Sequence, residues 1–127
     1  MNINTEIAII DDDEAIRVAT RMLLMLEGFL VYSFASAEEF LRSTLSYETR
    51  CLIVDVQMPG MNGLALQKRL RDEGDHTPII FITAFPEERD RKRALGTGAI
   101  CFLSKPFDGQ SLINCVYEAL NNPNGGN

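Results

Sequence analysis

Apolar runs at residues 7–10, 30–34, 51–54, 78–82 and 99–103 punctuate the chain, and a longer stretch with helical spacing follows each one. Runs this short suit strands better than helices. Strands that alternate with helices can bury their apolar faces as a parallel sheet covered on both sides. The expected architecture is therefore α/β, of the (βα)5 doubly wound kind, with helices on both faces.

The intervening stretches carry mechanistic end signals. Ile16, Ala19, Leu23 and Leu26 recur three or four apart, with Gly28 as a stop. Ser36 and Glu39 form a capping box for a helix expected to run to about Leu45. Asn62 caps a third helix that ends at Gly74, Pro86 suits the first turn of a fourth closed by Gly96, and Asp108 caps a fifth running to about Leu120. The expectation is one domain over 1–127, with its core at about 6–120 and a breaker-rich tail at 121–127.

A formal net charge of −6 argues against direct nucleic-acid binding, which needs clustered positive charge. Without a long apolar window or a basic-then-apolar N-terminus, no membrane segment or signal peptide is expected, which makes the cytoplasm the default address. Cys51, Cys101 and Cys115 lack CxxC spacing and sit among apolar neighbours, so they read as buried reduced thiols.

Open parallel sheets bind ligands beyond the C-terminal ends of their strands. The polar residues that follow the runs are Asp11, Asp12 and Asp13 after the first, Asp55 after the third, Thr83 after the fourth and Lys105 after the fifth. Each has an ordinary reading: a helix start, a turn acid, a strand-end threonine, a loop lysine. Their shared sheet edge points elsewhere. Carboxylates gathered there repel one another, and oxygen ligation with water suits Mg²⁺ as the counter-charge. An Asp beside Mg²⁺, a Lys and a hydroxyl has what an acyl phosphate needs: a nucleophile, charge neutralisation and orientation.

The segments at residues 9–13, 54–63, 82–84 and 104–107 resemble, in order and spacing, the signature segments of response-regulator receiver domains, a likeness that extends over about residues 6–120. The resemblance implies a flavodoxin-like sheet of strand order 2-1-3-4-5. It further implies phosphorylation of Asp55 by a sensor histidine kinase or phosphotransfer protein, with Mg²⁺ held by Asp12, Asp55, the Gln57 backbone carbonyl and, through water, Asp11. Thr83, the Ala84 amide and Lys105 would bind the phosphoryl group. Thr83 and Phe102 would form the switch, and the peptide before Pro106 would be cis. The side chain of Gln57 is free to vary on this view, and Phe85 stands where access of the hydrolytic water is tuned.

The same resemblance implies a signalling switch that catalyses only its own phosphoryl transfer and dephosphorylation. Its output surface would be helix 4, strand 5 and helix 5. The partner is then a downstream effector or an output domain absent from this chain, and a phosphorylation-dependent homodimer is also admitted. The stretch after Lys105 has room for a last helix and no output domain, so a stand-alone receiver or the N-terminal part of a transcription factor is expected. In the fourth helix, Glu87 with Arg91 and Glu88 with Lys92 are spaced for ion pairs. Met22 and Met25 read as core filler, and His76 as a surface residue.

Three rivals are distinguishable. A haloacid-dehalogenase-type phosphohydrolase would use Asp11 as nucleophile, with Asp13 two residues on, but would leave Asp55 without a role. A flavodoxin-like FMN binder would meet repulsion from Asp11, Asp12, Asp13 and Glu14. A pseudo-receiver that only docks would take up no phosphoryl group.

Overall fold

The structure is a computed structural model that describes residues 6–44 and 48–121. Strands β1 (Glu6–Ile10), β2 (Leu30–Phe34), β3 (Cys51–Asp55), β4 (Ile79–Thr83) and β5 (Cys101–Ser104) alternate with helices α1 (Glu14–Leu26), α2 (Ala37–Arg42), α3 (Gly63–Asp72), α4 (Glu88–Gly96) and α5 (Gly109–Leu120). The strands form one parallel sheet of order β2-β1-β3-β4-β5. The expected fold and strand order are both found.

Every residue of β3 and β4 is buried, as it must be in strands covered on both faces. One apolar cluster, with Ala8, Ile10, Leu52, Val54 and Phe81, packs against Leu64, Leu66 and Leu70 of α3. The other joins Ile7, Ile9, Ile53, Ile80 and Ile82 to Leu24 of α1 and to Leu112 and Val116 of α5. Alternate strand residues thus serve opposite layers.

The caps form largely as read. Asn62 accepts from Ala65 N at 2.8 Å, and Asp108 accepts from Ser111 N at 3.1 Å. Ser36 accepts from Glu39 N, while the Glu39 carboxylate reaches Ala35 N, one residue before the cap. Gly28 and Gly74 take the left-handed turn after α1 and α3.

Other expectations need correcting. Helix α2 ends at Arg42, and Leu45 lies outside the described residues. Pro86 precedes α4, which starts at Glu88; Gly96 is its last residue, and the left-handed stop is Gly98. Ion pairs on α4 join Glu88 to Arg91 and Glu87 to Arg89 instead of the expected partners, and being exposed they contribute little. On α1 the buried positions are Thr20 and Leu24, with Ile16 and Leu23 half-buried, whereas Ala19 and Leu26 are exposed. A polar Thr holds the centre of that face, which shifts the stripe. Met22 and Met25 therefore point to solvent and fill no core.

The cysteine reading holds only for Cys51, which is buried and free. Cys101 on β5 and Cys115 on α5 form a disulfide, with their Cα atoms 6.3 Å apart, inside the range such a bridge spans. Burial of α5 against the edge strand brings together two thiols that lie 14 residues apart in sequence. His76 is exposed, as expected.

Candidate functional site at the strand ends

Asp55 and Thr83 are each the last residue of a strand, so the backbone ladder fixes both. Asp55 lies opposite Ile82, and Thr83 is one step beyond. Thr83 in turn lies opposite Ser104, and the Lys105 amide donates to the Thr83 carbonyl at 2.8 Å. Three neighbouring strands thereby present acid, hydroxyl and ammonium at one edge. The Lys105–Pro106 peptide is cis, as the resemblance implied.

The acidic run after β1 divides its labour. Asp13 caps α1, accepting from Ala15 N and Ile16 N at 2.9 and 3.3 Å. Asp11 is fully buried and accepts from Asp13 N at 2.9 Å, while Asp12 is exposed. Ligand atoms of Asp11, Asp12 and Asp55 all lie within 4.8 Å of one another.

Lys105 Nζ stands 2.9 Å from Asp11 Oδ2 and 3.3 Å from Asp55 Oδ2. One ammonium faces three carboxylates, so negative charge is left over. Burial, reinforced by Asp11, pushes the Asp55 carboxyl up to about 6, against the pull of Lys105 and of the Gln57 amide on its Oδ1. Partial burial draws the Lys105 ammonium down, but Asp11 and Asp55 together hold it above its ordinary value. Asp11 Oδ2 makes no hydrogen bond beyond this ion pair. A hard cation with oxygen ligands fits such a donor set: an all-carboxylate cluster, one member open to water, and a surplus of negative charge.

Four neighbours shape the site in ways the residue pattern did not disclose. The Gln57 side chain, expected to be indifferent, accepts a 2.5 Å hydrogen bond from the Thr83 hydroxyl. Glu38 of α2 accepts from Met61 N at 2.9 Å and so anchors the loop that follows Asp55. A Cβ on Gly63 would lie 2.5 Å from the Asp55 carbonyl oxygen, so the start of α3 can approach β3 only without a side chain. Gln67 donates from a buried position to Ala94 O at 3.0 Å and ties α3 to α4. No local signal marks the contacts of Gln57, Glu38 and Gln67, because their partners lie 26, 23 and 27 residues away.

Phe102 is half-buried, its ring centroid 6.3 Å from that of Phe81. Ala84 begins the exposed loop after β4, and the Phe85 side chain projects into it, 71% exposed.

Residues 7–117 match the family described as the response regulator receiver domain. The chain belongs to that family. Nodulation protein W of Bradyrhizobium diazoefficiens is 40% identical over 111 residues, covering 87% of this chain and 49% of that protein. Response regulator protein TmoT of Ectopseudomonas mendocina is 39% identical, covering 90% and 52% respectively. Among solved structures, response regulator StyR superposes with a TM-score of 0.87 at 38% identity, covering 94% of this chain and 60% of that one. The chain spans about half the length of the curated relatives it matches. This is a receiver domain of the two-component kind, and such domains generally signal through phosphoryl transfer to an Asp. No helix among the described residues is long and apolar enough to cross a membrane.

Proposed function

We propose that Asp55 is the phosphoacceptor of a signalling switch served by a histidine kinase or phosphotransfer protein. The observation that carries this reading is the convergence of Asp11, Asp12, Asp55, Thr83 and Lys105 on one sheet edge in a chain of this family. A carboxylate oxygen of Asp55 attacks phosphorus, the phosphorus–nitrogen bond of the donor's phosphohistidine breaks, and the departing imidazole takes a proton from solvent.

Lys105 is already seated beside Asp55 and pairs with a phosphoryl oxygen, while the Thr83 hydroxyl and the Ala84 amide offer donors to the others. Asp12, Asp55 and the Gln57 carbonyl would hold Mg²⁺, with Asp11 acting through water, and the ion would neutralise charge on the transferring group. The output reading is that α4, β5 and α5 meet the effector or output domain, with Thr83 and Phe102 as the moving parts. A single receiver domain in the cytoplasm is the setting we assign.

The rival that uses Asp11 as nucleophile fits less well. Its second acid, Asp13, is committed to capping α1, and Asp11 is buried against Lys105. Intact-protein mass spectrometry after incubation with acetyl phosphate and Mg²⁺ separates the two. One added phosphoryl group is expected, lost in Asp55→Asn and when Mg²⁺ is chelated. Loss in Asp11→Asn alone, with Asp55→Asn still labelled, overturns the assignment.

A further inference from the structure

The Thr83 hydroxyl both accepts and donates in this structure, and its one hydrogen is taken. Its oxygen accepts from Phe85 N at 3.1 Å, and its single hydrogen goes to Gln57 Oε1 at 2.5 Å. The Gln57 carboxamide also reaches the Phe85 carbonyl, with Nε2 at 3.5 Å, while the Gln57 backbone amide donates to Asp55 Oδ1 at 3.1 Å. Gln57 therefore stands between the acid and the loop that leaves β4, touching both.

We propose that the Gln57 side chain is a latch that holds Thr83 in its resting position and competes with a phosphoryl group for the Thr83 hydroxyl. A hydroxyl carries one hydrogen, so it cannot donate to Gln57 and to a phosphoryl oxygen together. Binding a phosphoryl group through Thr83 therefore requires release of the carboxamide, which also frees the Phe85 carbonyl. Gln57 is a positioning residue here, acting on the group at Asp55 through Thr83. The inference rests on the phosphoacceptor reading and adds to it a resting-state restraint made by a side chain that reaches across from the loop after β3. A net hydrogen bond of ordinary strength biases the equilibrium about fivefold towards the resting arrangement.

Beryllofluoride with Mg²⁺ serves as the phosphoryl probe, followed by the amide resonance of Phe85. Gln57→Met keeps length and backbone but removes the acceptor. It is expected to move the ligand-free Phe85 resonance towards its beryllofluoride-bound position and to tighten apparent beryllofluoride affinity about fivefold. Gln57→Glu keeps an acceptor for the hydroxyl while losing the Nε2 donor, so its ligand-free resonance should lie less far towards the beryllofluoride-bound position than that of Gln57→Met. In a Thr83→Val background, Gln57→Met should change affinity little. Wild-type binding with unchanged affinity and resonance in Gln57→Met overturns the latch alone, as does an equal gain in affinity in the Thr83→Val background. If the wild type takes up no beryllofluoride at Asp55, the phosphoacceptor reading goes, and the latch with it.

Discussion

Lys105 lies closer to Asp11 than to Asp55, at 2.9 against 3.3 Å, and so bridges two acids that would otherwise face each other at the strand ends. The ammonium stands in the resting site as a tethered cation. Removing it has opposite effects on folding and on metal affinity. Lys105→Met should lower stability in chelator by about 1–3 kcal/mol, because two buried carboxylates lose their partner. It should also bind Mg²⁺ several-fold more tightly, since the metal no longer shares the carboxylates with an ammonium. Thermal unfolding with and without Mg²⁺, together with calorimetric titration, checks both; weaker metal binding would contradict the shared-ligand picture.

Asp55 has the opposite sign. Its carboxyl titrates at about 6 in the folded chain against an ordinary value of 3.8, so the fold favours the neutral form. The charge therefore costs stability at neutral pH, less as pH falls from about 6 towards 4, and nothing once both states are protonated. Asp55→Asn in metal-free buffer should be more stable than wild type at pH 7 by about 1 kcal/mol after allowing for solvent at the strand end, or roughly 4 °C in Tm. The gap should close as pH approaches 4. A constant gap across that range would show that something other than this charge is responsible.

Gly63→Ala tests the approach of α3 to β3. The added methyl would meet the Asp55 carbonyl oxygen at 2.5 Å, and Phe81 and Val54 at 3.0 and 3.1 Å, so backbone must shift. A loss of about 2–4 kcal/mol is expected in chemical denaturation. Acetyl phosphate labelling should fall with it, since the displaced backbone is that of the acceptor.

Thiol counting tests the cysteines. Burial pushes the Cys51 thiol up to about 12, so almost no thiolate exists at neutral pH and none is accessible. Air-oxidised native protein should resist iodoacetamide. Unfolding without reductant should expose one reactive thiol, and reduction two more. In the chain-entropy account, reduction of the Cys101–Cys115 loop also costs about 3 kcal/mol. Three thiols on unfolding without reductant would mean that the pair is not bridged.

The legible parts of this molecule were those with local causes. Apolar runs located the strands because both sheet faces are buried, and Asn62, Asp108 and Ser36 announced helix starts because a cap bonds within its own turn. Asp11, Asp12, Asp55, Thr83 and Lys105 were visible because each follows or ends a strand and a parallel sheet collects those positions at one edge. Contacts between distant segments were not visible. The Cys101–Cys115 bridge depends on how α5 seats against β5, and the bond between Gln57 and Thr83 spans 26 residues. The stripe on α1 was misphased because the buried position is the polar Thr20, one residue past the Ala19 of the apolar pattern, and Ala19 faces solvent.

Burial of β3 and β4 along their whole length also divides the molecule by timescale. Amides in the middle of these strands, such as those of Val54 and Phe81, can exchange with solvent only when the sheet comes apart. That of Phe85, two residues past the end of β4, needs only its bond to the Thr83 hydroxyl to open. Asp55 and Thr83 sit on that boundary, where strand backbone buried on both faces gives way to a loop held by the Thr83 hydroxyl.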